Sequence, residues 1–204
     1  MKPGKKAPDF SLRDKEGTLH SLKTLEGRYL VVYFYPKDDT PGCTVEAKGF
    51  SGAKNKLAAL GASVVGISGG DEKSKTKFCK KHRLKVLLLS DPGFKVSRAY
   101  GSYGRKKFMG RAYMGILRNT YLLDEARRVV RVFENVNPET HVREIIAHIS
   151  ELEEACRPEG SRMKVAPHRL PRAAVKAARS VTRPKRKKRP LRGNRRRIAP
   201  PKQR

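Results

Sequence analysis

A cysteine stands where an apolar run gives way to a helical pattern, in the stretch YPKDDTPGCT from Tyr35 to Thr44. Thr40 suits the N-cap of a helix, Pro41 its first position, where a missing N–H costs nothing, and Cys43 then falls in the first turn. The sulfur would lie beside unpaired backbone N–H groups and the positive end of the helix dipole, both of which favour thiolate over thiol. Such a cysteine is a nucleophile. Pro36 and Pro41 stiffen the loop, and the Thr40 hydroxyl can donate to the sulfur or to an incoming oxygen. The alternative is an inert, half-buried cysteine in an ordinary strand-to-helix turn, and the residues by themselves leave both open. A dithiol exchanger of the C-x-x-C kind is disfavoured, because Thr44, Val45 and Glu46 follow Cys43.

Other chemistries find less support. The five histidines (20, 82, 141, 148, 168) include no pair at metal-ligand spacing, and His141 and His148, seven apart, suit a solvated helix face. GISGGD from Gly66 to Asp71 is a glycine turn with a helix cap, too short for a phosphate loop. No metal, nucleotide or other cofactor is expected. Three cysteines at wide, uneven spacing do not make a secreted disulfide framework, so a reducing compartment is expected, where a cysteine is kept for reactivity.

To place Cys43 the chain needs a buried strand before it and a helix after it. Tyr29 to Tyr35 is a continuous apolar and aromatic run of strand length, suited to burial on both faces. A helical pattern runs from Pro41 to Leu60, with Gly61 as its stop. Upstream, Ala7 to Leu25 reads as a hairpin turned by DKEG. Downstream come a strand Ser63–Ile67, a helix Asp71–His82, a strand Val86–Leu89 and a short helix Gly93–Tyr100. Strands Ile116–Leu123 and Val129–Asn135, joined by DEARR, and a helix Pro138–Ala155 complete the pattern. The alternation predicts an α/β sheet with helices on both faces, closed by an antiparallel pair. In such sheets reactive residues gather at the carboxyl ends of the strands, where Cys43 falls.

The 204 residues carry 48 Lys/Arg and 19 Asp/Glu, a formal net charge of +29. Most of the excess is local. Residues 157–204 hold 19 of the bases and one acid, Glu159, with seven of the 13 prolines, no aromatic residue and the run RPKRKKRP from Arg183 to Pro190. Residues 1–156 therefore read as one domain, and 157–204 as a tail expected to be disordered, because it cannot bury enough apolar surface to offset the entropy of folding. Its charge suits phosphates, with nothing to stack on bases, so non-specific nucleic acid is the expected partner. A polyanionic surface, a nuclear address and a solubilising run without a partner stay open. No run of about 18 apolar residues exists, and MKPGKKAPDF puts charges and prolines where a signal peptide needs an apolar stretch, so neither membrane insertion nor export is expected. A cytoplasmic location follows, with the nucleoid or nucleus left open by the tail.

With these residues in view, YFYPKDDTPGCTVEAKGF resembles the active-site segment of peroxiredoxins, specifically the bacterioferritin comigratory protein or Q-type subgroup. The family motif of proline, three residues, threonine or serine, two residues and cysteine is met by Pro36, Thr40 and Cys43. PGKKAPDFSL, KFCKKHRLKVLLLSD and YGSYGRKKFMGRAYMGILRNTYLLD are similar to their counterparts, so the resemblance covers roughly Lys2 to Leu152. It implies a thioredoxin-like fold, a central mixed sheet flanked by helices, and an arginine in a strand beside the active site, which Arg118 in GILRNT matches; without the resemblance, a solvated strand charge is the favoured reading of Arg118. It also implies peroxidase chemistry: a Cys43 thiolate attacks a peroxide, Arg118 and backbone N–H groups stabilise the leaving oxygen, Thr40 orients the substrate, and a sulfenic acid forms.

Many members place a resolving cysteine five residues after the first, and here that position is Lys48. Others carry it in the next helix, which Cys79 matches, and lysines 75, 77, 80 and 81 should help to ionise it. The alternative is a packed Cys79 and an outside thiol. Cys156 has no counterpart and reads as a free surface thiol. Hydrogen peroxide and organic hydroperoxides as substrates, a thioredoxin-type reductant and a monomeric state are likewise implied. The rival is a nucleic-acid-associated protein on a retired peroxidase scaffold; the joint presence of Pro36, Thr40, Cys43 and Arg118 speaks for the enzyme.

Overall fold

The computed structural model describes residues 1–156, apart from Met109 and the side chain of Phe108. The tail, with the disorder and nucleic-acid binding expected of it, lies outside the described residues. In chain order the elements are β1 (Ser11–Asp14), β2 (Leu19–Ser21), β3 (Tyr29–Phe34), α1 (Pro41–Ala59), β4 (Ala62–Ser68), α2 (Glu72–His82), β5 (Leu87–Ser90), α3 (Lys95–Ala99), β6 (Tyr103–Phe108), β7 (Arg111–Ile116), β8 (Thr120–Leu123), β9 (Val129–Phe133) and α4 (His141–Ala155).

Every residue of β3 is buried, as its unbroken apolar run foretold. It lies inside a mixed sheet of order β2-β1-β5-β4-β3-β8-β9, parallel to β4 and antiparallel to β8. Because successive side chains leave a strand on opposite faces, β3 feeds two cores. Val31 and Tyr33, with Tyr35 just beyond the strand, meet Phe50 and Leu57 of α1, Phe78 of α2 and Ile145 and Ile149 of α4 on one face. Leu30, Val32 and Phe34 meet Phe10, Leu22, Val96 of α3 and Tyr121 on the other. The backbone must come close for this packing: a Cβ on Gly66 would sit 2.5 Å from the Tyr33 ring. Gly61 ends α1 with φ of 68°, a conformation that favours glycine. The thioredoxin-like α/β architecture expected from the sequence is the one observed. Among the described residues, no helix is long and apolar enough to cross a membrane.

Around Arg118 one element was not foreseen and one expectation fails. A second hairpin, β6 and β7, pairs outside the main sheet, with Lys106 opposite Tyr113. The sequence hid it because Arg111 to Met114 are all exposed, so no apolar alternation marks the strand. The expected strand Ile116–Leu123 is also two pieces: Ile116 closes β7, β8 opens at Thr120, and Arg118 lies in the connection rather than in a strand. Its backbone is nonetheless fixed, because the Val136 N–H donates to the Arg118 carbonyl (3.1 Å) and the Phe34 N–H to that of Asn119 (2.8 Å).

Candidate active site

The end of β3 and the start of α1 build the site. Thr40 occupies the N-cap in an extended conformation and Pro41 begins the helix. Its first internal bond runs from the Thr44 N–H to the Thr40 carbonyl (2.8 Å). An α-helix leaves its first N–H groups without intrahelical acceptors, so Cys43, 1 % exposed, lies in the first turn among such donors. The Thr40 side chain does not cap the helix; its hydroxyl donates to the Lys37 carbonyl (3.1 Å) instead of to the sulfur.

Arg118 reaches this turn from the β7–β8 connection. Its Nη2 donates to Cys43 Sγ at 3.3 Å, and its Nη1 donates to Glu46 Oε2. Glu46 follows Cys43 by three positions, so both side chains share one helix face. It is fully buried, its second oxygen has no partner, and burial, outweighing the Arg118 guanidinium, pushes its pKa up to about 7. Desolvation disfavours the Arg118 cation, yet the net effect of the Glu46 and Cys43 charges is to raise its pKa. Glu46 was missed in the sequence, where it reads as one more polar helix residue; the i, i+3 spacing from a cysteine was the available signal.

Pro36 heads a loop whose two acids both reach α2. Asp38 is buried and accepts from Tyr35 Oη (2.7 Å), Ser74 Oγ (2.7 Å), Ser68 Oγ (3.3 Å) and Lys75 Nζ (3.1 Å to each oxygen). Gly70 leaves room for it: a Cβ there would sit 2.0 Å from Asp38 Oδ2. Asp39, exposed, accepts from Lys81 Nζ and pairs with His82 Nε2, both at 2.6 Å.

Cys79 lies on the buried face of α2, in the same core cluster as Cys43, and both are unbridged. The expectation that neighbouring lysines ionise it is not met: burial pushes the Cys79 thiol up, the nearby Lys15 and Lys75 charges only partly opposing it. Lys75 is spent on Asp38, and Lys81 on Asp39. Cys156 follows α4 and is exposed, and Arg28 Nη2 donates to its sulfur at 3.3 Å. Among the described residues, no group of three or more His, Cys, Asp or Glu side chains could hold a metal ion.

Known proteins are similar to this chain in sequence and fold. The AhpC/TSA family profile matches residues 3–132. Peroxiredoxin Bcp of Bacillus subtilis is 38% identical over 151 residues, 74% of this chain and 96% of its own, and that of Escherichia coli K12 is 38% identical over 141 residues, 69% and 90%. Among solved structures, the Xanthomonas campestris bacterioferritin comigratory protein superposes with a TM-score of 0.68 at 30% identity over 74% of this chain and 99% of that one. Peroxiredoxin Q of the same organism gives 0.65 at 33%, over 70% and 90%. The chain thus belongs to the AhpC/TSA family and, within it, to the peroxiredoxins of the bacterioferritin comigratory protein or Q type.

Proposed function

We propose that this peroxidase reduces hydrogen peroxide and organic hydroperoxides through a Cys43 thiolate, with Arg118 as the cation that meets the charge of the leaving oxygen. The observation that carries this is the 3.3 Å contact from Arg118 Nη2 to Cys43 Sγ in the first turn of α1. A thiolate beside a guanidinium and free helix N–H groups attacks the nearer peroxide oxygen, and the O–O bond breaks. The departing oxygen takes a proton and leaves as water or an alcohol, and the sulfur becomes a sulfenic acid. Thr40, whose proton is directed at the Lys37 carbonyl, keeps an oxygen lone pair for the peroxide O–H. Pro36 holds the entering loop. The Xanthomonas campestris relative has alkyl peroxide reduction activity, which supports the substrate class. A thioredoxin-type reductant returns the enzyme to its starting state. Coupled assays with a thioredoxin system test the activity, and absence of turnover with both peroxide types would sink it.

Cys79 is the proposed resolving thiol. Its sulfur attacks the Cys43 sulfenic sulfur, the S–O bond breaks, and hydroxide leaves with a proton as water. The shared core cluster supports this choice over exposed Cys156. A disulfide needs Cα atoms within about 7 Å, so the bridge forms only in a conformation that brings the Cys43 turn and α2 to that separation. Peptide mapping after one equivalent of peroxide should recover a Cys43–Cys79 bridge within one chain. A lasting sulfenic acid with Cys79 still alkylatable points to an external thiol instead.

The tail supports a second, independent activity, non-specific nucleic-acid binding, on its charge alone. If half of its 19 bases contact phosphates, counterion release gives a slope of log affinity against log salt near about −8 on duplex DNA. Mobility shifts across a salt series should show it, and removal of residues 157–204 should abolish it while peroxide turnover persists. Equal binding by the truncated chain, or a flat salt response, would remove the tail from the account.

A further inference from the structure

Lys75, Phe78, Cys79 and His82 stand at helical positions i, i+3, i+4 and i+7, so they share one face of α2. Cys79 lies between Lys75, one turn before it, and His82, about one turn after it. The partners of those two residues are adjacent in sequence. Asp38 takes Lys75 and Ser74, and Asp39 takes His82 and its neighbour Lys81. The loop bearing Pro36 and Thr40 therefore grips α2 at both ends of the face that presents Cys79. The inner grip is dry, with Lys75 wholly buried and Asp38 nearly so; the outer one is open to solvent. Asp39 reaches its partners from a left-handed backbone, φ 57°.

We propose that Asp38 and Asp39 act as a paired latch that couples the two cysteines: unwinding of the loop and first turn at Cys43 withdraws both carboxylates from α2 and frees the Cys79 helix, so the latch sets the rate of resolution. The proposal rests on Cys79 being the resolving thiol. Its chemical consequence is a tuned sulfenic-acid lifetime. A tighter latch leaves Cys43 longer in the state that a second peroxide carries to sulfinic acid, and a looser one protects it. Asp38 and Asp39 are positioning residues here, since they act through the two helices and touch no reacting atom.

Asp39→Asn tests the outer grip with least damage, because asparagine tolerates the left-handed backbone and the site is exposed. Rapid quench with thiol alkylation and mass analysis should find Cys43–Cys79 disulfide formation about threefold to fivefold faster than in the wild type, the range of an exposed ion pair. Cys43 oxidation should change less than twofold, and fewer chains should reach sulfinic acid in excess peroxide. Salt should accelerate disulfide formation in the wild type by screening the exposed pair and should leave the variant unaffected. Lys81→Gln with His82→Gln should mimic the variant, and adding Asp39→Asn to them should do nothing further. Amides of residues 72–82 in the reduced protein should exchange faster in all of these variants. A wild type that forms the disulfide at a rate unmoved by Asp39→Asn and by salt overturns the latch alone. A wild type that forms no such disulfide overturns the role of Cys79, and the latch with it.

Discussion

Cys43→Ser is expected to reduce thiol-dependent peroxide consumption to the uncatalysed background. A serine hydroxyl in the same turn would stay protonated at neutral pH, so the guanidinium at 3.3 Å would face no nucleophilic anion. The fold should survive. The site is buried, and an added hydroxyl costs about 1–3 kcal/mol when it lacks a partner, less if Arg118 supplies one. Peroxide consumption and thermal unfolding of the same preparation separate the two effects. Turnover that persists in a folded Cys43→Ser protein would end the assignment of the nucleophile.

The second large effect belongs to Arg118. Arg118→Met keeps the apolar stem and removes the charge, and kcat/KM for peroxide should fall about 10²–10³-fold, the loss seen when a fixed donor to a developing anion is deleted. Arg118→Lys should recover only part, because the guanidinium fork serves Glu46 with one nitrogen and Cys43 with the other. Burial of the fork's partner, Glu46, leaves a mark on stability. The Glu46 pKa rises from 4.5 to about 7 on burial, so its contribution to the fold is whole below pH 4.5 and is lost as pH climbs through 7. That loss is on the order of 3 kcal/mol. Urea unfolding between pH 4.5 and 8 should show this decline in the wild type and a flatter curve in Glu46→Gln. A near-normal kcat/KM in Arg118→Met would return Arg118 to the status of a surface charge.

Much of this site could be read from local sequence, and what could not was non-local. Pro36, Thr40, Pro41 and Cys43 lie within eight consecutive residues, so capping rules and turn chemistry place them without knowledge of the rest of the chain. The buried strand before them was equally legible, because seven apolar or aromatic residues in a row suit only a strand covered on both faces. The partners of Asp38 and Asp39 were not. Which acid pairs with which lysine depends on how α2 lies against the loop, and the lysines at 75, 77, 80 and 81 look alike until burial separates Lys75 from the others. Arg118 was found by resemblance and placed in the wrong kind of segment, since the β6–β7 hairpin beside it lacks the alternation that would have revealed its edges.

The strand order has a consequence for how the enzyme comes into being. Cys43 and Arg118 are 75 positions apart, and each hangs from a neighbour in the sheet, Cys43 beyond β3 and Arg118 just before β8. Helix α1 can form early from local contacts, but the β3–β8 ladder must close a long stretch of chain before its hydrogen bonds compensate for the lost freedom. A refolding chain can therefore regain helical signal while its nucleophile still lacks its cation. Recovery of peroxidase activity, followed against far-ultraviolet ellipticity after dilution from denaturant, would time the joining of those two strands.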